Sequence, residues 1–399
     1  MKVVDLCEFF SERGGGVRSY LTKMGAAAKA QGHELVVIAP GPKTETQNLD
    51  GGGRIERYAG PPMPYDPTYA APIRVDRMRA LVQREAPDVL QVSSPFLPAV
   101  VARTLRNAPV RSYVHHSDPI GCYLRPWANR VLPKPLSAWA LAPAWAWLRS
   151  VSSQVDVTIT AGDWLRNQLA DHGCPRVQSV PFGIAHAEFG SHLRDPALRA
   201  ELLGPGASDP RAKLLLVTGR LAVDKRQHLL VEAAIELART RPVALVVLGD
   251  GPERTRLEEM AQRAHLHATF LPFLHSRAEY AAMLASVDLL LHGSLCETFG
   301  FVIAETLASG TPVVVPNAGA SPHMVDESCA VVYPADANPT QIAGAAESVL
   351  ERSGPSMSEA ARVLAARHPT MEQHFAQLFE LYQRLLDRRR PSAAGAARV

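Results

Sequence analysis

The chain has 399 residues, 47% of them hydrophobic and 20% charged, which is enough for two soluble domains with separate cores. Its formal net charge of +3 is too small to indicate a nucleic-acid-binding protein. The five cysteines are scattered and never form a Cys-x-x-Cys pair, which favours reduced thiols in a cytosolic protein over a disulfide framework or a zinc site.

The apolar runs of the chain are short. Asp5 and Glu8 interrupt the first of them, so we expect no signal peptide. No window approaches about eighteen apolar residues without a charge, so we expect no membrane-spanning helix. These features together predict a cytoplasmic protein.

The chain opens as an α/β domain does. Residues 3–6 predict a strand, Gly14, Gly15 and Gly16 form a turn, and a helical pattern follows. Such a turn lets the backbone approach a ligand, and the helix N-terminus favours phosphate. Neither Gly-x-Gly-x-x-Gly nor Gly-Lys-Ser/Thr is present, so a Rossmann dinucleotide site is weakly indicated and a P-loop is excluded. A flexible turn without a ligand is the alternative.

Strands and helices alternate through the first half. We predict strands at 34–39, 87–92, 110–114 and 155–160, a helix at 74–85, and an irregular excursion with a hairpin at 41–72. The strand 110–114 runs into His115 and His116. A histidine at the carboxyl end of a parallel strand faces the edge where α/β sheets bind ligands. A buried structural histidine is the commoner role, and we expect it for one of the two.

Residues 123–149 combine aromatic and basic side chains without any acidic one. They include four tryptophans and four cations: Trp127, Trp139, Trp145, Trp147, Arg125, Arg130, Lys134 and Arg149. Such a segment suits an anionic membrane surface. The alternative is that its aromatic residues pack between helices of the first domain. Several prolines break any single long helix here, and both interpretations stay open.

The second half opens with two cations near a strand end. Residues 190–212 lack strong periodicity and are assigned to the interdomain linker. The buried strand that follows ends in Gly219-Arg220, and Lys225 comes five residues later. Cations at the carboxyl end of a strand can neutralise a leaving diphosphate. A solvated loop is the alternative.

The stretch 287–316 joins two apolar strands through a loop and an amphipathic helix. Glu297 falls in the loop, Gly300 at the start of the helix, and Glu305 inside it. Backbone N–H groups at a helix start can meet an anion. Two carboxylates therefore flank a helix N-terminus at a ligand-binding edge. Without further context, two solvated glutamates would be the simpler interpretation.

This stretch resembles a known signature. Glu297, seven residues, Glu305 and the later Leu-Ala-Ser-Gly-Thr-Pro-Val-Val resemble the paired-glutamate motif of retaining GT-B glycosyltransferases of family four. Gly219-Arg220-Leu and Gly249-Asp-Gly251-Pro resemble other elements of that family. The resemblance implies an α/β fold, GT-B, with two Rossmann-like domains facing across a deep cleft.

The resemblance also implies a domain plan. The N-terminal acceptor domain would span 1–195 and the C-terminal donor domain 205–370. A crossover helix, 371–388, would pack back on the first domain, and 389–399 would form a disordered tail.

The family's functional positions map onto individual residues here. The resemblance implies catalytic roles for His116, Arg220, Lys225 and Glu297, although the doubled histidine leaves His115 as an alternative. It implies that Glu305 binds the nucleotide ribose and Glu297 touches the donor sugar. The full set of implied donor-binding residues is Gly15, Gly16, Gly219, Arg220, Lys225, Gly249, Gly251, Phe273, Glu297, Phe299, Gly300, Phe301 and Glu305.

Departures from the family pattern leave the donor open. Phe273 or Leu274 stands where the family has a glycine near the base, so GDP-mannose and UDP-glucose both stay plausible donors. The sequence contains no Asp-x-Asp motif. We therefore expect no metal and no cofactor, with Arg220, Lys225 and helix N-termini carrying the leaving-group charge.

The resemblance predicts an enzyme of cell-envelope glycan synthesis that moves a hexose to a lipid-linked or saccharide acceptor with retention of α configuration. We favour front-face transfer over double displacement, because no carboxylate can be assigned beneath the anomeric carbon. Partners would be the nucleotide sugar, the acceptor and, through 123–149, the inner face of a membrane, but no nucleic acid.

Other activities are less well supported by the sequence. A pyridoxal-dependent phosphorylase needs a Schiff-base lysine near the second-domain cleft, and the loop 317–323 has none. A nucleotide-sugar epimerase, an inverting GT-B enzyme and a non-catalytic nucleotide-sugar binder remain as alternatives. Inverting relatives lack the paired glutamates. A non-catalytic binder would not need all four of the charged residues Arg220, Lys225, Glu297 and Glu305.

Overall fold

The computed structural model describes residues 1–10, 16–63, 66–105 and 108–389. These residues form two compact units. Of the described residues, the first unit contains those up to Ser117, then Val131–Phe182 and those from Met371 to Arg389. The second contains Asp118–Arg130 and Gly183–Thr370.

A mostly parallel sheet forms the centre of the first unit. Its strands are β1 (Lys2–Leu6), β2 (Glu34–Gly41), β3 (Glu45–Asn48), β4 (Arg54–Ala59), β7 (Val89–Val92), β8 (Val110–His115), β9 (Val157–Thr160) and β10 (Val177–Ser179), and a separate hairpin is made by β5 (Pro62–Met63) and β6 (Asp66–Ala70). The strand order of the main sheet is β10–β9–β8–β7–β1–β2–β4–β3. Among its described strands, β3 and β4 form the one antiparallel pair. Val4 and Leu90 are fully buried, as expected where helices cover both faces of a parallel sheet.

The excursion at 41–72 is more regular than the sequence predicted. It holds the hairpin that was expected, but β4 also pairs in parallel with β2 and extends the main sheet. The reason is visible in its side chains, since Ile55 and Tyr58 are each only 1% exposed. The Gly- and Pro-rich flanks concealed a short buried strand.

The helices of the first half lie between these strands. They are α1 (Gly16–Ala30), α2 (Val75–Glu85), α3 (Leu97–Thr104), α4 (Arg125–Val131), α5 (Lys134–Ala140), α6 (Ala142–Ser153) and α7 (Asp163–Asp171). A single π-helical turn, Ile120–Leu124, precedes α4. Pro135 and Pro143 occupy the first turns of α5 and α6, so the prolines divide the segment into short helices as predicted.

The tryptophans of this segment do not share one environment. Trp127 in α4 and Trp139 in α5 are 66% and 78% exposed. Trp145 in α6 is buried and stacks on His172 with ring centroids 3.6 Å apart. Among the described residues, no helix is long and apolar enough to cross a membrane.

The last helix of the chain, α15 (Met371–Arg389), belongs to the first unit. The hydroxyl of Tyr382 donates to the side-chain carbonyl of Gln91 at 2.6 Å, and His374 Nε2 lies 3.1 Å from the Tyr20 hydroxyl. Arg389, the first residue of the predicted disordered tail, is instead helical and pairs with Asp156. The other tail residues lie outside the described part.

An all-parallel sheet forms the centre of the second unit. Its strands are β11 (Lys213–Thr218), β12 (Val243–Leu248), β13 (His267–Leu271), β14 (Leu289–Leu291), β15 (Val313–Pro316) and β16 (Ala330–Tyr333), in the order β13–β12–β11–β14–β15–β16. The α-helices between Gly183 and Thr370 are α8 (Pro196–Leu203), α9 (Gln227–Leu237), α10 (Arg254–Arg263), α11 (Arg277–Ser286), α12 (Phe301–Ala308), α13 (Pro339–Arg352) and α14 (Pro355–Ala365). The predicted strand 243–248 coincides with β12, because its continuous apolar run is buried on both faces.

The assignment of 190–212 to a linker is corrected by α8. The Asp195 side chain accepts hydrogen bonds from the backbone N–H groups of Ala197 and Leu198, and Pro196 occupies the first helical position. Leu202 and Leu203 are buried. The residues from Gly183 to residue 195, which the sequence assigned to the N-terminal domain, belong to the second compact unit.

Candidate active site

Two turns of the second unit meet at the carboxyl edge of its sheet. Gly219 N–H donates to the carbonyl of Leu248 at 3.0 Å, at the ends of β11 and β12. Gly249 has φ +142°, and a Cβ there would lie 2.1 Å from the carbonyl oxygen of Gly219. The glycine at 249 is therefore required by backbone packing between turns. Around Gly219 itself the space is open.

Lys225 and Glu297 form an ion pair at this edge. The two residues are 72 positions apart in sequence, and their Nζ and Oε1 atoms lie 2.7 Å apart. The side chains are 30% and 17% exposed. The Lys225 ammonium also lies 3.5 Å from the hydroxyl of Ser294. The structure thus brings together two residues that the sequence assigned separately to the diphosphate and the sugar.

The pair is charged at neutral pH. Burial raises the pKa of Glu297, but the ammonium of Lys225 and the ring of His292 lower it by more, so the net pKa is below its ordinary value. Burial lowers the pKa of Lys225, but Glu297 raises it by more. The site therefore presents a fixed carboxylate beside a fixed ammonium.

His292 is a site residue that the sequence left without a role. It is 6% exposed, and its Nε2 atom lies 3.6 Å from Glu297 Oε1 without a hydrogen-bond partner among the described residues. Burial lowers the pKa of His292 to about 4, so the ring is neutral at pH 7. Its position just after β14 was the available signal, because the rule that singled out His116 applies equally here.

Arg220 lies on the more open side of the same edge. Its side chain is 56% exposed, and its guanidinium donates to Asp224 at 3.0 Å. An incoming anion would share this guanidinium with Asp224, whereas Lys225 is already engaged by Glu297.

The start of α12 is built around Gly300. Its φ is +86°, and a Cβ there would lie 2.9 Å from the Met324 sulfur. Phe299 is buried, and its ring packs against Phe301 at 4.8 Å and His368 at 5.7 Å. The Phe299 side chain therefore supports the loop, which leaves backbone N–H groups at the helix start as the groups able to meet a ligand.

Glu305 is held by two residues of α11 that the sequence did not single out. Arg277 donates to Oε1 at 3.1 Å, and the Tyr280 hydroxyl donates to Oε2 at 3.2 Å. Arg277 also donates to Glu188 at 2.7 Å. Arg277 and Tyr280 lie one turn apart on a helix, but no sequence pattern connects them to Glu305.

Phe273, expected near the base, follows β13 and is 67% exposed. Its ring meets His275 edge-on at 5.7 Å. An exposed aromatic ring can stack on a planar ligand, so the substitution of the usual glycine adds an apolar surface at this position.

The candidate residues of the first unit lie at the end of β8. His115 is 1% exposed and bonds to the Tyr113 hydroxyl, which fits the structural role. His116 is less buried, and its Nε2 lies 3.1 Å from the Ser93 hydroxyl. Ser93 in turn donates to Asp5 at 2.7 Å. Gly16 begins α1, and Gly15 lies outside the described residues.

Burial dominates the electrostatics of this network. It lowers the pKa of His116 to about 3 and that of His115 to about 4, so both rings are neutral at pH 7. It raises the pKa of Asp5 to about 7, although Ser93 and Gln91 donate to the carboxylate. The buried carboxyl of Asp5 is thus connected to the ring of His116 through the hydroxyl of Ser93.

The described residues contain no group of three or more histidine, cysteine or acidic side chains placed to hold a metal ion. The site instead offers a neutral imidazole and two carboxylates, each paired with a cation, at a sheet edge. Such a site can bind an anionic ligand and stabilise a leaving group.

Two family models match the chain. Residues 200–365 match the model described as "Glycosyl transferases group 1". Residues 14–188 match the model described as "Glycosyltransferase Family 4". The first match contains the ion pair and both glutamates, and the second contains His116.

Curated relatives align over most of the chain. A GDP-mannose-dependent alpha-(1-6)-phosphatidylinositol dimannoside mannosyltransferase of Mycobacterium tuberculosis is 29% identical over 353 residues, which is 88% of each chain. A GDP-mannose-dependent alpha-mannosyltransferase of Corynebacterium glutamicum is 28% identical over 400 residues, covering 96% of this chain and 91% of the relative.

Solved structures share the fold at lower identity. A sucrose-phosphate synthase from Thermosynechococcus elongatus superposes with a TM-score of 0.78 at 18% identity, covering 97% of this chain and all of that one. Anabaena HepE in complex with UDP and glucose gives a TM-score of 0.70 at 17% identity, covering 96% of this chain and all of that one.

Proposed function

Since the chain belongs to the group 1 glycosyltransferases of family four, we propose that it transfers mannose from GDP-mannose to a lipid-linked acceptor of the cell envelope, with retention of α configuration. The predicted GT-B fold and the prediction of a hexosyltransferase are confirmed. Donor, acceptor, stereochemistry and metal independence are proposals.

The ion pair between Lys225 and Glu297 is the observation that carries this proposal. A diphosphate arriving at the sheet edge finds the Lys225 ammonium already fixed at 2.7 Å from a carboxylate. Such preorganised charges stabilise a leaving group without reorganisation during the reaction. Glu297 would then lie beside the sugar that the leaving diphosphate releases.

The identity of the donor rests on the relatives. The M. tuberculosis and C. glutamicum proteins are both named for GDP-mannose, and they align over most of this chain. The acceptor of the first is a phosphatidylinositol dimannoside by its name. A glycolipid acceptor also suits the exposed tryptophans of α4 and α5.

The proposed chemistry is front-face transfer without a metal. The described residues around Glu297 supply a carboxylate already paired with Lys225, which disfavours it as a nucleophile because its charge is stabilised. The leaving phosphate oxygen would take the acceptor proton. Arg220 and Lys225 would stabilise the leaving diphosphate in place of a divalent cation.

A donor screen tests this function. We expect GDP-mannose to raise the melting temperature and to be hydrolysed or transferred, with UDP-glucose and ADP-glucose as comparison donors. Turnover should persist in EDTA. Stabilisation by UDP-glucose alone would refute the proposed donor, and reversible loss of turnover with chelator would refute metal independence.

A further inference from the structure

Two cysteines that are 174 residues apart in sequence meet beside the candidate active site. Cys122, in the π-helical turn, donates its thiol hydrogen to the backbone carbonyl oxygen of Cys296, with Sγ and O 3.6 Å apart. Neither is in a disulfide, and both are partly exposed. Both belong to the second unit.

The pair is open to small reagents. Both thiols line a cavity of about 500 Å³, whose wall also includes the exposed side chains of Trp127 and Val223. The other three cysteines, Cys7, Cys174 and Cys329, are buried. An oxidant dissolved in water therefore has access to Cys122 and Cys296 before the rest.

The surroundings favour Cys296 as the reactive member. The neighbouring Cys122 side chain lowers the pKa of Cys296, burial opposes this, and the Lys225 ammonium lowers it further. The Cys296 side chain and burial both raise the pKa of Cys122. A thiolate is the nucleophilic form of cysteine, so one sulfur is set to attack and the other to follow.

We propose that Cys122 and Cys296 are a thiol modification site, at which a peroxide converts the pair into a reversible disulfide that switches the enzyme off. The Cys296 thiolate attacks one peroxide oxygen, giving a sulfenic acid and, after proton uptake, water. The Cys122 sulfur then displaces the sulfenic oxygen as a second water. The net change is two thiols and one hydrogen peroxide to one disulfide and two waters.

Inactivation follows from the position of Cys296. It directly precedes Glu297, whose carboxylate is paired with Lys225. In the disulfide the two sulfurs would lie about 2.05 Å apart, so the loop that carries Cys296 and Glu297 would be drawn toward Cys122. A displacement of about 1 Å at a catalytic group can cost on the order of 10²-fold in rate.

The test oxidises the full-length protein with hydrogen peroxide and follows the bond and the activity separately. Intact mass should show the loss of two hydrogen atoms, and non-reducing peptide mapping should link the peptides of Cys122 and Cys296. Turnover should fall by roughly tenfold or more and return with dithiothreitol.

Variants separate this site from other thiols. Cys122→Ser should keep its turnover before peroxide treatment and, on brief treatment, should carry a sulfenic acid at Cys296 without the linked peptide, so its turnover should fall less than that of the wild type. After the same treatment, the buried-thiol control Cys174→Ser should lose turnover as the wild type does. Absence of the linked peptide overturns the disulfide, whatever the donor of the enzyme is. A linked protein with full turnover overturns the switch.

Discussion

At the scale of residues, the ion pair could not be read from the sequence. Lys225 and Glu297 each follow the carboxyl end of a strand, which placed both at one edge, but their 2.7 Å contact depends on how two loops pack. Strand ends are predictable because apolar runs mark them. Contacts such as those of Arg277 with Glu305, or Cys122 with Cys296, have no comparable local signal.

Lys225→Ala should lower kcat by roughly 10²-fold, the scale of losing one preorganised charge contact. The substitution also removes the ammonium beside Glu297, so the pKa of that carboxyl should rise. As pH is lowered, activity should therefore be lost at a higher pH than in the wild type. Steady-state kinetics across pH measures both effects. Arg211→Ala, which removes an exposed cation of the same unit, is the control. Wild-type kcat in the Lys225 variant would contradict the assignment.

Glu305→Gln and Arg277→Ala should both raise KM for the donor with little change in kcat. Ribose hydrogen bonds persist in the ground and transition states, so their loss weakens both equally. Losing a charged hydrogen bond of about 1.5–3 kcal/mol corresponds to roughly tenfold or more in KM. Arg277→Lys should recover part of the effect.

Glu279→Gln, on the exposed face of the helix that carries Arg277, provides a matched control and should leave KM unchanged. A decrease in kcat without a change in KM for Glu305→Gln would place that residue in the chemical step instead.

At the scale of elements, the sequence predicted strands better than short helices. Val243–Leu248 was placed residue for residue, since a buried parallel strand is a continuous apolar run. The helix α8 was missed, although Asp195 followed by Pro196 is a readable start signal. Its weak amphipathic pattern and the adjacent Gly-Pro-Gly favoured a linker. The role of the Trp-rich segment 123–149 could not be decided from the sequence, because some of its tryptophan rings are exposed and others are buried.

Helices α4 and α5 should bind anionic vesicles. Trp139 and Trp127 are mostly exposed, and no acidic residue lies in 123–149. Each cation near an anionic leaflet contributes about 1 kcal/mol, which is lost with salt. Co-sedimentation at low salt should therefore fall for Trp139→Ala and Arg130→Glu without a change in melting temperature.

Trp145→Ala is the matched control, because this ring is buried against His172. It should lower the melting temperature and leave vesicle binding of the folded protein intact. If wild-type protein stays in the supernatant at low salt, neither α4 nor α5 binds the membrane and a soluble acceptor becomes the better proposal.

At the scale of the whole molecule, buried imidazoles connect stability to pH. Burial lowers the pKa from 6.5 to between about 3 and 4 for His115, His116, His292 and His374. Below pH 6.5 these imidazoles are protonated in the unfolded chain but stay neutral in the folded chain. They therefore lower the free energy of unfolding as pH drops from 6.5 toward 4. Asp5 acts in the opposite sense, since its pKa is raised to about 7 and its contribution is lost as pH rises.

Each group changes the free energy of unfolding by roughly 1.4 kcal/mol per unit of pKa shift, so the combined effect of the four imidazoles on stability exceeds that of the one carboxyl. The apparent melting temperature should therefore be lower at pH 5 than at pH 7.5. Asp5→Asn should raise it at pH 7.5 and steepen its fall toward pH 5, because the buried charge is removed. A melting temperature that is flat between these pH values would show that the imidazoles are not buried neutral.

The position of helix α15 has a consequence for how the protein is made. A ribosome delivers all of the second unit before it delivers Tyr382 and His374, which bond to Gln91 and Tyr20 in the first unit. The first unit is thus the first to be started and the last to be finished. Its contact surface for α15 stays uncovered while roughly half the chain is synthesised, which takes on the order of ten seconds or more at about 5–20 residues per second. A nascent chain stalled before Met371 would carry a complete second unit and a first unit that lacks α15, with the apolar surface under this helix exposed, which is the kind of surface that chaperones bind.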